Sequence, residues 1–428
     1  MANVVVGNRS PAQSSMSMDA DGDLHSGAKG ATTGTNASRG RTAKGFAREL
    51  AFLWGLGCAT VLAMMVTFGL DERRVHMLNV YYQAPVVATL ACLLWARNLR
   101  TWHKLRLSPS PLVCFGIEQN ESVTSEHVYR LSYACALSLL TSMVFFLYTY
   151  DVDEPLVATS ILLATYAVPT VVAMWPNRRK GLGQLRMYLR RLVYNCFTPI
   201  FRPVAFADFF FADILCSLAK SMSDLERVVC SFGHGIALIH TSTGKCGDRN
   251  WKIPAVLLIP SIIRLLQCLR QFSDTREVKC LYNALKYMSA FPVIVISGVR
   301  HSIDHDDWIF FWRPLWIGFC VFNTGFSFYW DIKHDWALSL FDSPTRTHGD
   351  KAPLGLRERR IYGSPSVYYR AILVNFVLRI SWTYKLASHL RHHSAVLWLV
   401  TAAEITRRFQ WSLFRVEVEY LRRTHQTT

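Results

Sequence analysis

From Pro155 to Trp175 the chain reads PLVATSILLATYAVPTVVAMW, a stretch with no charged side chain. A run of about 20 apolar residues matches the thickness of a bilayer's hydrocarbon core when wound as a helix. Inside lipid every backbone N–H and C=O must be satisfied within the protein, which leaves helices and closed barrels as the spanning structures. The run shows no apolar/polar alternation, so it predicts a helix rather than a barrel strand. Comparable runs recur along the chain, at 46–70, 79–99, 128–150, 205–230, 251–272, 279–299, 308–330, 366–387 and 394–418. The runs at 205–230 and 394–418 are the least apolar of them. With 51% hydrophobic and 13% aromatic residues, the chain predicts an all-α, polytopic membrane protein with about ten spans.

Charge supports that reading and orients it. The formal net charge is +17. In a soluble chain this would raise nucleic-acid binding; here the basic residues fall in alternate loops, as the positive-inside rule requires, and nucleic acid is not expected as a partner. One set of loops holds Arg97, Arg100, Lys104 and Arg106, then Arg178, Arg179, Lys180, Arg186, Arg190 and Arg191, and later Arg276, Lys279, Lys333, Arg346, Lys351, Arg357, Arg359 and Arg360. The other set carries DERR at 71–74, DVDE at 151–154, a Gly/Ser/Thr loop at 231–250, HSIDHDD at 301–307 and SHLRHH at 388–393. This pattern puts both termini in the cytoplasm. Residues 1–45, rich in Gly, Ser, Thr, Ala and Asn, read as a disordered cytoplasmic tail, and 421–428 as a short cytoplasmic one. The first apolar run starts too late for a cleaved secretory signal and reads as a retained anchor. Residues 46–204 then hold the N-terminal spans together with a basic segment, 178–204, too charged to cross. That segment reads either as an interfacial amphipathic helix on membrane lipids or as a solvated linker. The sequons at Asn8, Asn36 and Asn120 fall on the cytoplasmic side and are expected to stay unglycosylated.

Charges within spans are costly and face a bundle interior or water. They gather in the second half: Asp213, Arg264, Lys286, Asp331 with Asp335 four residues on, Arg379 with Trp382 three on, and a stripe of Glu404, Arg407, Arg408, Trp411 and Arg415 on one face of the last span. Ion pairing between helices, such as Glu404 with Arg408 or Asp213 with an arginine, would account for any one of them. As a set, the cations Arg264, Lys286, Arg379, Arg407, Arg408 and Arg415 outnumber the carboxylates Asp213, Asp331 and Glu404. Surplus buried cations require an anion, and the guanidinium fork suits phosphate or carboxylate. Trp382 either walls the anion path or packs between helices.

Other chemistry has little support. The glycines of SFGHGIALIH (231–240) lack phosphate-loop spacing. No Ser/His/Asp arrangement or nucleophile elbow points to catalysis, so no enzyme and no catalytic residue is expected. The 11 cysteines show no ligand spacing, and His389, His392 and His393 read as a solvated turn, so neither a metal nor a cofactor is expected. Cys230 and Cys246 could bridge across a non-cytoplasmic loop.

Six stretches carry a family pattern: FADILCSLAKSMSDLE (211–226), RLLQCLRQF (264–272), NALKY (283–287), YWDIKHDWAL (329–338), NFVLRISW (375–382) and EITRRFQWSLFRVEVE (404–419). In these, over about residues 205–420, the chain resembles the EXS-domain family of eukaryotic phosphate exporters and shorter Golgi proteins linked to retention of ER and Golgi residents. The resemblance implies an EXS-type transmembrane domain at 205–420 that conducts inorganic phosphate. It carries the phosphate pathway onto Lys286, Tyr287, Arg379, Trp382, Arg407 and Arg408. Asp213, Asp331 and Glu404 would be supporting acids, the two aspartates positioning basic groups rather than touching phosphate. RQF at 270–272 and DWAL at 335–338 depart mildly from the pattern. Residues 1–45 are too short for the SPX sensor that opens the long exporters, so the architecture looks like the short Golgi branch.

These readings together predict a phosphate transporter or channel of the Golgi membrane, moving phosphate from lumen to cytosol and supporting glycosylation and retention of residents. Arg379 with Trp382 would form a constriction, and Arg407 with Arg408 the next station. The alternative is a sorting or retention factor whose cytoplasmic segments 178–204, 342–365 and 422–428 bind glycosyltransferases or coat adaptors. The endoplasmic reticulum and the plasma membrane are alternative addresses, and the resemblance allows a homodimer.

Overall fold

The computed structural model describes residues 72–105, 111–115, 125–152, 154–174, 182–233, 246, 251–341, 355–386 and 394–426. All belong to the compact unit Ala59–Thr428. The expected tail 1–45, the first span 46–70, the sequons, the SHLRHH turn and most of the loops 231–250 and 342–365 lie outside the described residues.

Among the described residues the chain is helical and has no strand. The helices are α1 Glu72–Lys104, α2 Ser125–Asp151, α3 Pro155–Met174, α4 Leu182–Phe197, α5 Phe206–Ser217, α6 Ala219–Gly233, α7 Lys252–Thr275, α8 Val278–Met288, α9 Ala290–Val299, α10 Arg313–Trp330, α11 Pro365–Arg379 and α12 Ser394–Gln426. Local chemistry accounts for several of them. α3 opens on Pro155, whose missing N–H costs nothing in the first turn. Its hydroxyls fold back onto the preceding turn: Ser160 on the Leu156 carbonyl at 2.9 Å, Thr165 on Ile161 at 2.8 Å and Thr170 on Tyr166 at 2.8 Å. That satisfies polar groups which lipid could not. α5 is started by Asp208, whose carboxylate accepts the Ala205 N–H at 3.0 Å.

α1 packs against α2, α6 and α12, and α2 packs on α3. α7 holds α5, α6, α8 and α9, while α10 packs on α9 and α11 packs on α12. The largest apolar cluster is aromatic. Trp102, Phe115, Phe206, Phe210, Trp336, Tyr368, Trp411 and Phe414 all lie in it. It seats the short 3-10 turn Pro111–Phe115 against α5 and α12. A second cluster joins α1, α2, α3 and α6 through Tyr81, Tyr82, Phe146, Leu147, Leu162 and Val228. Outward-facing Phe145, Leu163, Val171, Phe322 and Leu373 are all more than half exposed. On a water-soluble protein such a surface would aggregate; on this chain it is the surface that meets lipid.

Four helical stretches are long and apolar enough to cross a bilayer: Arg74–Lys104, Val128–Thr149, Lys252–Thr275 and Val278–Val299. Leu156–Val171 is a shorter apolar one. The chain is thus a helical membrane protein. Several of the expected spans have outlines that the structure changes. The run 205–230 breaks at Leu218, whose φ of −91° and ψ of 2° leave the helix, giving α5 and α6. The run 279–299 breaks at Ser289 into α8 and α9. Around α10 the chain widens into π turns at Trp308–Trp312 and Asp331–Asp335. The run 366–387 is α-helical to Arg379 and then tightens to a 3-10 helix, Ile380–Leu386. By contrast 394–418 lies within one continuous helix that runs on to Gln426. Within the basic segment 178–204, residues 182–197 form α4. Cys230 and Cys246 are joined in a disulfide.

Candidate functional site: a buried cluster of cations

The irregular points of the helices and the charged residues coincide. Ser217 ends α5 at the Leu218 break, and Lys286 and Tyr287 stand just before the Ser289 break. Asp331 opens a π turn that Asp335 closes, and Arg379 is the last residue of α11 before the 3-10 segment. Non-helical backbone at membrane depth is tolerated where protein buries it or where it lines a water-filled path. α12 crosses this region unbroken and supplies Glu404, Arg407, Arg408, Trp411 and Arg415 from its inner face.

Three carboxylates organise the network. Asp331, 1% exposed, accepts from Arg379 Nη2 at 2.6 Å, Arg379 Nε at 2.9 Å and Asn375 Nδ2 at 3.0 Å. Arg407 approaches the same Oδ2 at 3.7 Å. Glu404 holds Arg407 by both oxygens, at 2.6 and 2.9 Å, and accepts the Ser217 hydroxyl at 2.7 Å. Asp213 accepts from Arg264 Nε at 3.1 Å and from the Tyr287 hydroxyl at 2.5 Å. Gln267 accepts from Arg264 Nη1 at 2.7 Å and donates to the Asp208 carbonyl at 3.3 Å. A fourth carboxylate, Asp335, accepts from Trp411 Nε1 at 3.1 Å and stands 3.9 Å from Arg415.

Two cations of this network have no carboxylate within 4.0 Å among the described residues. Lys286 is 8% exposed, and its Nζ lies over the rings of Tyr287 at 4.3 Å and Trp330 at 5.3 Å. Arg408 is also 8% exposed; its Nε donates to Ser217 Oγ at 2.9 Å, and its guanidinium lies 4.6 Å from the centre of the Trp411 ring. Cation–π contacts contribute about 0.5–2 kcal/mol. A hydrogen bond to an ionised group contributes about 1.5–3 kcal/mol. The ring faces therefore hold these cations more weakly than a charged hydrogen-bond partner would.

The structure brings Asp213, Lys286, Tyr287, Asp331, Glu404, Arg407 and Arg408 into one network with Arg379. Trp382 sits at its α10 side, donating to Thr324 Oγ1 at 3.0 Å and standing edge-on to Trp316 at 5.8 Å. Arg379 and Arg407 approach the same oxygen of Asp331, at 2.6 and 3.7 Å. One expectation changes. Glu404 is paired with Arg407 rather than Arg408, because Ser217 is placed between Glu404 and Arg408. Sequence reasoning missed Ser217 and Asn375, the neutral groups that cross-link the ions. Asn375 is fully buried, donates to Asp331 and accepts from Arg407 at 3.3 Å. Its spacing, four residues before Arg379 on one helical face, was the available signal.

The EXS family model matches residues 78–421. A Xenotropic and polytropic retrovirus receptor 1 homolog of Xenopus laevis is 27% identical over 350 residues, 77% of this chain and 48% of the relative. SPX and EXS domain-containing protein 3 of Dictyostelium discoideum is 28% identical over 368 residues, 81% of this chain and 37% of the relative. Solute carrier family 53 member 1 of Homo sapiens is 32% identical over 256 residues, 55% of this chain and 36% of the relative. This chain therefore spans about half or less of the length of these relatives. The family model covers most of the chain and all of the charged network, and the chain belongs to the EXS family.

Proposed function

We propose that this protein is an inorganic phosphate transporter or channel that carries phosphate from the Golgi lumen to the cytosol. The carrying observation is the pair Lys286 and Arg408, buried cations without a carboxylate partner in a network whose other cations are paired. A phosphate oxyanion satisfies both, taking the Arg408 fork on one edge and the Lys286 ammonium on another. Asp331 and Glu404 keep Arg379 and Arg407 in place, so the site remains cationic without binding so tightly that phosphate is trapped. The similarity to a member of solute carrier family 53 supports transport. The basic loops support cytoplasmic termini, and the Cys230–Cys246 disulfide supports an oxidising compartment at the end of α6. On this reading the protein recovers phosphate released by glycosylation and so supports the retention of Golgi and ER residents. Phosphate flux into proteoliposomes tests it: Lys286→Met and Arg408→Met should each abolish most of the flux while the protein still elutes as a folded species. Flux equal to wild type in both would overturn the reading.

A second reading, a sorting or retention factor, is favoured by one observation. After α4 the turn residue Phe201 is 81% exposed, beside exposed Phe197, Ile200 and Arg191. A transport-dead Lys286→Met protein that restores cargo retention would support this second reading.

A further inference from the structure

α8 has two unlike sides. Val278, Leu281, Tyr282, Leu285 and Met288 are exposed and form the side that meets lipid. At 3.6 residues per turn the opposite side holds Asn283 and Tyr287, with Lys279 and Lys286 along its edge. Exposure falls along that side, from exposed Lys279 through half-buried Asn283 to buried Lys286. Asn283 is one turn before both Lys286 and Tyr287, a spacing that sets Cβ atoms about 5–6 Å apart. The Lys286 ammonium lies 4.3 Å from the centre of the Tyr287 ring, so it stays on this side of the helix. The side-chain carbonyl oxygen of Asn283, Oδ1, is shut off from solvent and has no hydrogen-bond partner among the described residues. Three other amide carbonyls around the network are each taken. Gln267 Oε1 accepts from Arg264 at 2.7 Å, Asn375 Oδ1 from Arg407 at 3.3 Å and Asn323 Oδ1 from the Ser289 hydroxyl at 3.0 Å. A buried acceptor left unpaired is costly, so the Asn283 carbonyl calls for a donor that the protein itself does not supply there.

Resting on the phosphate reading of the Lys286 and Arg408 centre, we propose that the Asn283 carbonyl accepts the hydroxyl of the phosphate ion and so sets a preference for phosphate over sulfate. The two ions share a tetrahedral shape and differ in one respect that matters here. At neutral pH inorganic phosphate carries at least one P–OH group, whereas sulfate carries no hydrogen. Lysine and arginine only donate, so Lys286 and Arg408 serve the bare oxygens of either ion alike. The hydroxyl of phosphate needs an acceptor. Asp213, Asp331 and Glu404 are already engaged by arginines, and their charge repels an anion. A neutral amide carbonyl takes the hydrogen without adding charge. With sulfate in its place, Asn283 Oδ1 faces another acceptor and stays unpaired. A buried polar group satisfied by one ligand and orphaned by its analogue is an effective basis for discrimination.

The test is the ratio of phosphate to sulfate uptake into proteoliposomes, measured with each labelled ion at the same tracer concentration. Wild type should favour phosphate. Asn283→Leu removes the acceptor at similar size and should lower the ratio about tenfold, the loss of one hydrogen bond, by slowing phosphate and not sulfate. Its melting temperature in phosphate-free buffer should not fall, because the variant removes an unpaired buried group. Asn283→Asp keeps an acceptor and adds a charge, so it should slow both ions and hold the ratio at or above the wild-type value. A wild-type ratio in Asn283→Leu, or a ratio in Asn283→Asp as low as that expected for leucine, would overturn the assignment while the Lys286 and Arg408 centre stands. So would a leucine variant that melts lower and slows both ions equally, the mark of a packing role. Wild-type protein that moves no phosphate would remove the phosphate reading and this assignment together.

Discussion

Replacing Glu404 with glutamine isolates the role of the fixed carboxylates. Glu404 binds Arg407 through both oxygens and accepts from Ser217, and its side chain is 32% exposed. Glutamine keeps the shape and one acceptor but loses the charge and one contact with the guanidinium. A hydrogen bond to an ionised group is worth about 1.5–3 kcal/mol. Partial exposure and the remaining partners of Arg407, Asn375 at 3.3 Å and Asp331 at 3.7 Å, keep the cost near the low end, about 2 kcal/mol. In phosphate-free buffer the melting temperature should fall by about 2 °C. The variant then holds a further under-compensated cation, so phosphate should bind it more tightly than it binds wild type. Phosphate at about 100 times its Kd contributes about 2.7 kcal/mol, enough to restore the loss. The assay is thermal unfolding of detergent-solubilised protein across a phosphate series, paired with flux. The variant should bind more tightly and turn over more slowly, because a deeper well delays release. A variant destabilised to the same extent at every phosphate concentration, or one that binds phosphate more weakly than wild type, would refute the view that Glu404 competes with phosphate for Arg407.

Other expectations concern the scaffold. A Cβ built on Gly298 would lie 2.5 Å from Pro254 Cγ, so Gly298→Val should force α7 and α9 apart and destabilise by about 1–3 kcal/mol, read as a lower melting temperature. Arg276 closes α7 at φ 58° in the left-handed region; Arg276→Gly should raise stability by about 1 kcal/mol in the same measurement. Burial pushes the Cys114 thiol up to about 11, so it should resist maleimide at pH 8 in folded protein and react once unfolded. The sign follows: the unfolded thiol gives up its proton first, so this group's contribution to stability is complete below the unfolded value and declines as pH rises toward about 11. Stability that rises between pH 9 and 11 in wild type but not in Cys114→Ala would contradict it.

Much of the architecture was legible because lipid imposes a simple rule. The apolar run 155–175 had to be helical wherever it packed, and α3 occupies almost that span. The buried charges could be picked out for a similar reason, since Arg379, Arg407 and Asp331 are too costly in hydrocarbon to be incidental. Their pairing could not be read. The i,i+4 spacing allows Glu404 to meet Arg408 as readily as the i,i+3 spacing allows Arg407, and the choice depends on Ser217, 187 residues earlier in the chain. Helix breaks were equally hidden. Leu218 is an ordinary helical residue by propensity, yet its φ of −91° and ψ of 2° leave the helix.

The sequence alone determined the class of the protein, because long apolar runs require membrane helices, and it showed more candidate buried cations than carboxylates, the imbalance on which the anion proposal rests. Tertiary structure decided which of those cations stand without a carboxylate partner. Asp331, Glu404, Asp213 and Asp335 reach Arg379, Arg407, Arg264 and Arg415, leaving Lys286 and Arg408 facing aromatic rings. That division depends on distances of a few ångströms between residues far apart in the chain, and electrostatic pairing in a low dielectric is set by such distances rather than by composition.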